Sequence, residues 1–289
     1  MTHSTNTKRT LIFTERQKRS FIKDYEFDTM SRTTLYRDVT NKLLDLCEVG
    51  PSATIADVGC GSGLATAGLL DRYGDSVAAI VGVDPSEFEL SIAKQRISHP
   101  KVKFVNGRAQ DLKGFVGLVD TTVLSNVLHQ IPSGERESVL AGCYDVLKIG
   151  GRCVFNTLFY DGAICPETLD FYGRWIFETN AWLRARGKQI EQYKSTPAAR
   201  QIFSPIQHGE MLEHIGFSNI RVEEETYGWK ADDWKALCRY SVFVEGATGL
   251  DDIPLGSNAL IAAIDATFAG LKLTTVPRKW LFACATKRR

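Results

Sequence analysis

Short apolar, β-branched runs alternate with stretches of helical period along the first half of the chain. Residues 54–57, 78–84, 101–107, 120–125 and 150–159 each read as a strand. Between them, residues 64–70, 87–97 and 134–147 carry helix formers in runs long enough for two to four turns. Ahead of the first strand, Leu35, Val39, Leu43, Leu44 and Leu46 recur at the spacing of an amphipathic helix that ends near Gly50 and Pro51. Five strand and helix alternations predict a parallel sheet covered on both faces.

The pattern changes after residue 160. Phe155, Phe159, Tyr160, Phe171, Tyr172, Trp175, Phe177 and Trp182 crowd into one stretch, although aromatic residues make up only 10% of the chain. A helix over roughly 167–186 carries two apolar stripes, at 171, 175 and 182 and at 169, 172, 176 and 183. That face is wider than one packing contact needs. Ser204, Pro205 and Gln207 have capping-box spacing and open a short helix that Gly216 closes. Residues 217–223 and 280–285 read as two last strands, with about 50 residues and a helix over 257–269 between them.

The chemistry concentrates at residues 54–70. A strand ends on Asp57, glycines follow at positions 59, 61 and 63, and a helix begins at once. Glycine reaches positive φ and carries no side chain, so a ligand can lie against this turn beside the helix N-terminus. The dinucleotide fingerprint would be G-x-G-x-x-G, whereas the spacing here is Asp57-x-Gly59-x-Gly61-x-Gly63. That pattern resembles the first motif of the class I S-adenosylmethionine (SAM) methyltransferases, and Leu128-His-Gln-Ile131 looks more like the members of small-molecule type. The resemblance covers about residues 35–160 by motif and the last 75 more loosely. It implies an α/β, doubly wound, mostly parallel seven-stranded sheet, the Rossmann-like methyltransferase fold, with a helical, aromatic-rich cap. It also implies one elaborated domain: an N-terminal helical segment and lid over 1–50, a SAM-binding core over 51–160, a cap insertion and helix over 161–216, and hairpin strands with a helical insertion over 217–289.

Individual residues follow from that likeness. Asp57, Gly59, Gly61 and Gly63 form the cofactor turn. Asp84, followed by Pro85, ends the second strand where one carboxylate can accept both ribose hydroxyls; its competing role is to cap the next helix. Ala109, Gln110 and Asp111 stand where the family places an acceptor for the adenine amine, and Tyr25, with Phe27 and Met30, is a lid candidate. Residues 125–130 follow the fourth strand at the topological switch point, so Asn126 should meet the cofactor. Enzymes that methylate base or amide nitrogens commonly carry [N/D]-P-P-[Y/F] there. This chain has Ser125-Asn-Val-Leu128, which argues against that chemistry. His129 is a candidate catalytic base, since imidazole titrates near working pH, or else a structural residue of the loop. Phe159, Tyr172, Trp175 and His208 are candidates to line a hydrophobic acceptor site.

Charge and composition narrow the field. Lysine and arginine total 35 against 34 acids, so no global field draws nucleic acid or an anionic membrane. No apolar run approaches the roughly 20 residues of a membrane span, and the start lacks a signal-peptide core. A soluble, cytoplasmic protein is expected. Seven cysteines without a C-x-x-C pair fit neither a disulfide framework nor a zinc knuckle, and no metal is expected. The expected activity is methyl transfer from SAM to a small lipophilic or aromatic molecule, on oxygen or carbon rather than nitrogen. Other SAM chemistry and a noncatalytic SAM-binding partner subunit are the alternatives, and an NAD oxidoreductase is disfavoured by the glycine spacing. The insertion over about 228–275 either adds to the cap or forms a homodimer surface.

Overall fold

The computed structural model describes residues 28–191 and 201–288. The order of elements is α1 (Thr34–Asp45), β1 (Thr54–Val58), α2 (Leu64–Tyr73), β2 (Ala79–Asp84), α3 (Glu87–Arg96), β3 (Val102–Asn106) and β4 (Val119–Ser125). Then come α4 (Arg136–Val146), β5 (Leu147–Thr157), α5 (Leu169–Arg184), α6 (Pro205–Ile215) and β6 (Phe217–Trp229). The chain closes with α7 (Ala231–Leu237), α8 (Ser241–Thr248), α9 (Ile253–Leu271) and β7 (Val276–Lys287).

Seven strands form one sheet in the order β3-β2-β1-β4-β5-β7-β6. β1 to β5 pair in parallel, and β7 inserts antiparallel between β5 and β6. Strand order reverses between β1 and β4, which opens a crevice at their carboxyl ends. The expected seven-stranded, doubly wound sheet is therefore present.

Alternation along the central strands decides which face each side chain serves. Ile55, Val123, Val154 and Phe282 join one buried cluster, together with Val39 and Leu43 of α1. Ala56, Leu124, Phe155 and Ala283 join the other, with Val139, Leu140 and Cys143 of α4 and Leu212 of α6. Burial on both faces is what near-continuous apolar strands require. All seven cysteines are free and buried, as small hydrophobes should be.

The aromatic stretch is mostly core. Phe171 and Trp175 of α5 pack with Trp234 of α7 at ring-centroid distances of 5.0 and 5.4 Å, and Trp229 reaches Trp234 at 4.9 Å. Met30, one of the three lid candidates, is fully buried in this same cluster. Tyr25 and Phe27 lie outside the described residues. The capping box of α6 is formed, with Ser204 and Gln207 exchanging hydrogen bonds and Gly216 at φ 106° ending the helix.

Two boundaries move. β6 and β7 run to 13 and 12 residues, well past the apolar segments that signalled them, because they pair with each other along their length and the added β6 positions include the exposed Glu224, Thr226 and Gly228. One described helix, α9, is 19 residues long and apolar enough to cross a membrane by length and composition alone. It is packed against the sheet cluster through Leu260, Ile264 and Phe268, and Asp265 on its outer side pairs with Lys235 at 2.7 Å. A packed core helix passes the same test.

Candidate functional site

The β1–α2 turn is tied to the tip of β2. The backbone N–H groups of Gly59 and Cys60 donate to the Val83 carbonyl at 2.8 and 3.1 Å. Gly61 N–H donates to Asp84 Oδ2 at 2.9 Å, and Asp84 Oδ1 accepts from Ser86 N–H at 2.8 Å. Gly59, Gly61 and Gly63 all have positive φ, 71°, 49° and 83°, which L side chains rarely adopt. One carboxylate thus shapes the turn and opens α3, while Ser86, not Asp84, supplies the N-cap side chain of that helix.

A cavity of about 510 Å³ opens over this turn, within the usual size range of small-molecule sites. Asp57, Gly59, Gly61, Asp84, Pro85, Ala109, Gln110 and Asn126, all anticipated, line it. Asn126 sits at φ 58°, pinned because its backbone N–H donates to Asn156 Oδ1 and its own Oδ1 accepts from Leu158 N–H. An asparagine tolerates that conformation better than most residues.

Asp57 is the least comfortable group in the wall. It is fully buried, its Oδ2 accepts from Thr66 Oγ1 at 2.6 Å, and its Oδ1 has no hydrogen-bond partner among the described residues. Burial pushes its pKa up to about 7; the Thr66 bond opposes this and the nearby Asp84 charge adds to it. A buried acceptor left unsatisfied costs free energy until a donor arrives, so this oxygen is suited to a cationic or hydrogen-bonding ligand in the cavity. Asp84 is also pushed up by burial, against the two N–H groups it accepts.

Other anticipated residues stand elsewhere. Gly63 lies outside the wall; a Cβ there would come within 3.1 Å of the Ala93 Cβ, so this glycine lets α2 pack on α3. Asp111 is outside the wall too, within a 3-10 turn over Ala109–Gly114. His129 does not line the cavity. It is buried, with Nε2 sharing a hydrogen bond of 3.2 Å with the Tyr240 hydroxyl and its ring 4.5 Å from that of Phe159. Desolvation, helped by the Arg136 charge, holds its pKa down to about 3. An imidazole so lowered is a weak base near neutral pH.

None of the four acceptor-site candidates reaches the wall. Phe159 stands behind it, against His129. Trp175 is core, its indole N–H donating to the Leu260 carbonyl at 2.9 Å. Tyr172 accepts from Arg278 Nη1 at 2.8 Å. His208 lies on the opposite face of the sheet, against Phe155, and donates to the Ser204 carbonyl at 2.8 Å. An aromatic stripe reports burial, not which surface it is buried against.

The structure adds residues that the sequence did not single out. Tyr36 of α1 lines the cavity, and its hydroxyl is 3.0 Å from Ser125 Oγ at the end of β4. Tyr240, Ser241 and Val242, from the insertion between β6 and β7, also line the cavity. At the outer end, Glu135 meets Arg108 at 3.1 Å and Gln110 at 3.2 Å. Tyr36 carried a usable signal, since it lies next to Leu35 on the buried side of an amphipathic helix; the insertion carried none. Among the described residues no group of three histidine, cysteine or acidic side chains is placed to hold a metal.

Asp84→Ala removes the acceptor that orders the turn and the carboxylate at the cavity floor. Affinity for SAM should fall by about 1–3 kcal/mol, the scale of lost charged hydrogen bonds. Calorimetric titration of both proteins checks it, and an unchanged affinity would count against the assignment of Asp84 to the ribose.

A family model described as a methyltransferase domain matches residues 55–151. The chain is 32% identical over 211 residues to the demethylmenaquinone methyltransferase of Bacillus licheniformis, covering 68% of this chain and 84% of that protein. It is 34% identical over 147 residues to an uncharacterized methyltransferase of Synechocystis, covering 48% of this chain and 63% of that protein. Among solved structures, the YcgJ protein of Bacillus subtilis superposes with a TM-score of 0.56 at 15% identity, covering 88% of this chain and 99% of that one, a likeness of fold.

Proposed function

Because the chain belongs to the class I SAM-dependent methyltransferases, we propose that it transfers the SAM methyl group to a small lipophilic or aromatic molecule, on oxygen or carbon. The observation that carries the acceptor class is the makeup of the cavity wall. It includes the hydroxyl-bearing Tyr36, Ser125, Tyr240 and Ser241, with the Tyr36 hydroxyl 3.0 Å from Ser125 Oγ, and the apolar Val127, Ile131 and Val242. Such a wall suits a molecule that is apolar over most of its surface and presents oxygen at the reacting end. The name of the Bacillus licheniformis relative, a demethylmenaquinone methyltransferase, supports a lipophilic acceptor.

The residues present fit SAM. The unpartnered Asp57 Oδ1 suits the ammonium of its amino-acid end, and the side-chain-free turn at Gly59 and Gly61 allows close approach of the ligand to backbone. Asp84, Ala109 and Gln110 line the same cavity, and we assign Asp84 to the ribose hydroxyls and Ala109 and Gln110 to the adenine. When bound, SAM supplies a methyl group already activated by its sulfonium. What remains for the chain is alignment and dryness. The Asp84 clamp on the turn and the pinned Asn126 fix one reactant, while the apolar walls of Val127, Ile131 and Val242 exclude water from the other.

The test is incubation of the protein with methyl-deuterated SAM and a panel of hydroxylated aromatics and amines, followed by mass spectrometry. Label on oxygen or carbon of an aromatic product is expected. Label confined to amine nitrogen contradicts the acceptor class, and SAM modified without release of S-adenosylhomocysteine (SAH) contradicts methyl transfer.

A further inference from the structure

We propose that Tyr240, carried by the insertion between β6 and β7, is the residue that grips the oxygen of the acceptor, and that His129 is its positioning residue. This rests on the methyl-transfer reading and adds the contact on the acceptor side.

The insertion reaches the cavity wall through Tyr240, Ser241 and Val242. His129 is not in the wall, but it is hydrogen-bonded to Tyr240, which is. The two rings meet edge to face at 81°, with centroids 6.1 Å apart, and share the 3.2 Å hydrogen bond between Nε2 and the phenol oxygen. Behind, His129 is wedged against Phe159. A side chain held on both sides in this way fixes the torsion of the Tyr240 hydroxyl, which is what a positioning residue does.

Tyr240 lines the cavity together with Tyr36 and Ser125. Its electrostatic partner is Tyr36, which raises its pKa beyond the larger effect of burial, and Tyr36 is bonded to Ser125 at the end of β4. Gln110 and Glu135, polar groups that also line the cavity, are bonded to each other. Since burial keeps the Tyr240 phenol neutral, its contribution is a directed hydrogen bond, not a phenolate charge. The ligand class it selects is a small molecule with a hydroxyl, enol or carbonyl oxygen beside the atom that receives the methyl. A site with a built hydrogen-bonding group discriminates against analogues that lack the matching oxygen.

Phenol is the probe, titrated into the SAH-saturated protein by NMR with benzene as control. Tyr240→Phe should raise the phenol dissociation constant about fivefold or more, the scale of one hydrogen bond, while SAH affinity stays within about twofold and benzene is unaffected. His129→Leu should reproduce the loss. His129→Gln should restore phenol affinity to within about twofold of wild type, because its amide can hold the Tyr240 oxygen without acting as a base. In the wild type, phenol ring protons should show cross-peaks to the Val242 methyls, a readout that needs no variant to fold. The proposal is overturned by equal phenol affinity in Tyr240→Phe, by no phenol binding or no such cross-peaks in the SAH-saturated wild type, or by equal losses in the glutamine and leucine variants. Failure of the wild type to bind SAH would instead overturn the methyl-transfer reading, so the two failures are distinguishable.

Discussion

Gly59→Val will weaken SAM binding by about 100-fold or more while the sheet still folds. At φ 71° an L residue is strained, by roughly 1–2 kcal/mol. A Cβ at this position would also come within 2.7 and 2.8 Å of the Val127 methyls, in the wall of the cavity. Overpacking of that kind costs typically about 1–3 kcal/mol more. The cheapest escape is for the turn to leave the tip of β2, giving up the Gly59 and Cys60 bonds to Val83. Either way the cradle is lost, and affinity should drop by about 100-fold or more, the sum of these costs at about 1.4 kcal/mol per tenfold. Gly117→Ala is the control, because a Cβ there meets nothing within 4 Å and its backbone is unstrained. Calorimetry on both variants checks the prediction, and a valine variant that binds SAM like wild type would refute it.

Asp57→Asn will stabilise the ligand-free protein at pH 8 and leave it nearly unchanged at pH 4. The carboxyl has a pKa of about 7 in the fold against 3.8 as a free side chain, so the folded state holds its proton more tightly than the unfolded one. The penalty for ionising it is absent below about pH 4, grows between pH 4 and 7, and is complete above 7. Three pKa units correspond to about 4 kcal/mol. His129 acts in the opposite sense: its lowered pKa makes the fold lose stability as pH falls from 6.5 toward 3. The two effects overlap, so the whole-protein pH profile hides both. The difference between variant and wild type cancels the histidine and isolates Asp57. Urea unfolding of the two proteins at pH 4, 6 and 8 measures it, and a difference independent of pH would contradict the account. The same variant should bind SAM more weakly, since a site that is costly when empty is one the ligand relieves.

The cofactor half of the site was legible in the sequence because its constraints are local. A turn that needs three positive φ values in five residues calls for Gly59, Gly61 and Gly63, and an acid at the tip of the adjacent strand is fixed by the same short segment. Gly63 was legible as part of the motif but not in its role, which depends on where α3 packs. The acceptor half was not legible, because it is assembled across the chain. Tyr36, Ser125 and Tyr240 are separated by up to about 200 residues, and only the placement of β7 between β5 and β6 brings the insertion over the crevice. Trp175 and Tyr172 were placed in the acceptor site on their aromatic stripe, yet the stripe is satisfied by Trp234, Leu260 and Arg278 within the core. His129 was found by its position after β4, and the partner that defines its setting, Tyr240, lies 111 residues away.

The most direct measurement is a calorimetric titration of the wild-type protein with SAM and, separately, with NADH. One SAM per chain, with affinity weakened in Asp84→Ala and weakened by about 100-fold or more in Gly59→Val, is the predicted result. NADH binding at that turn with no response to SAM would contradict it.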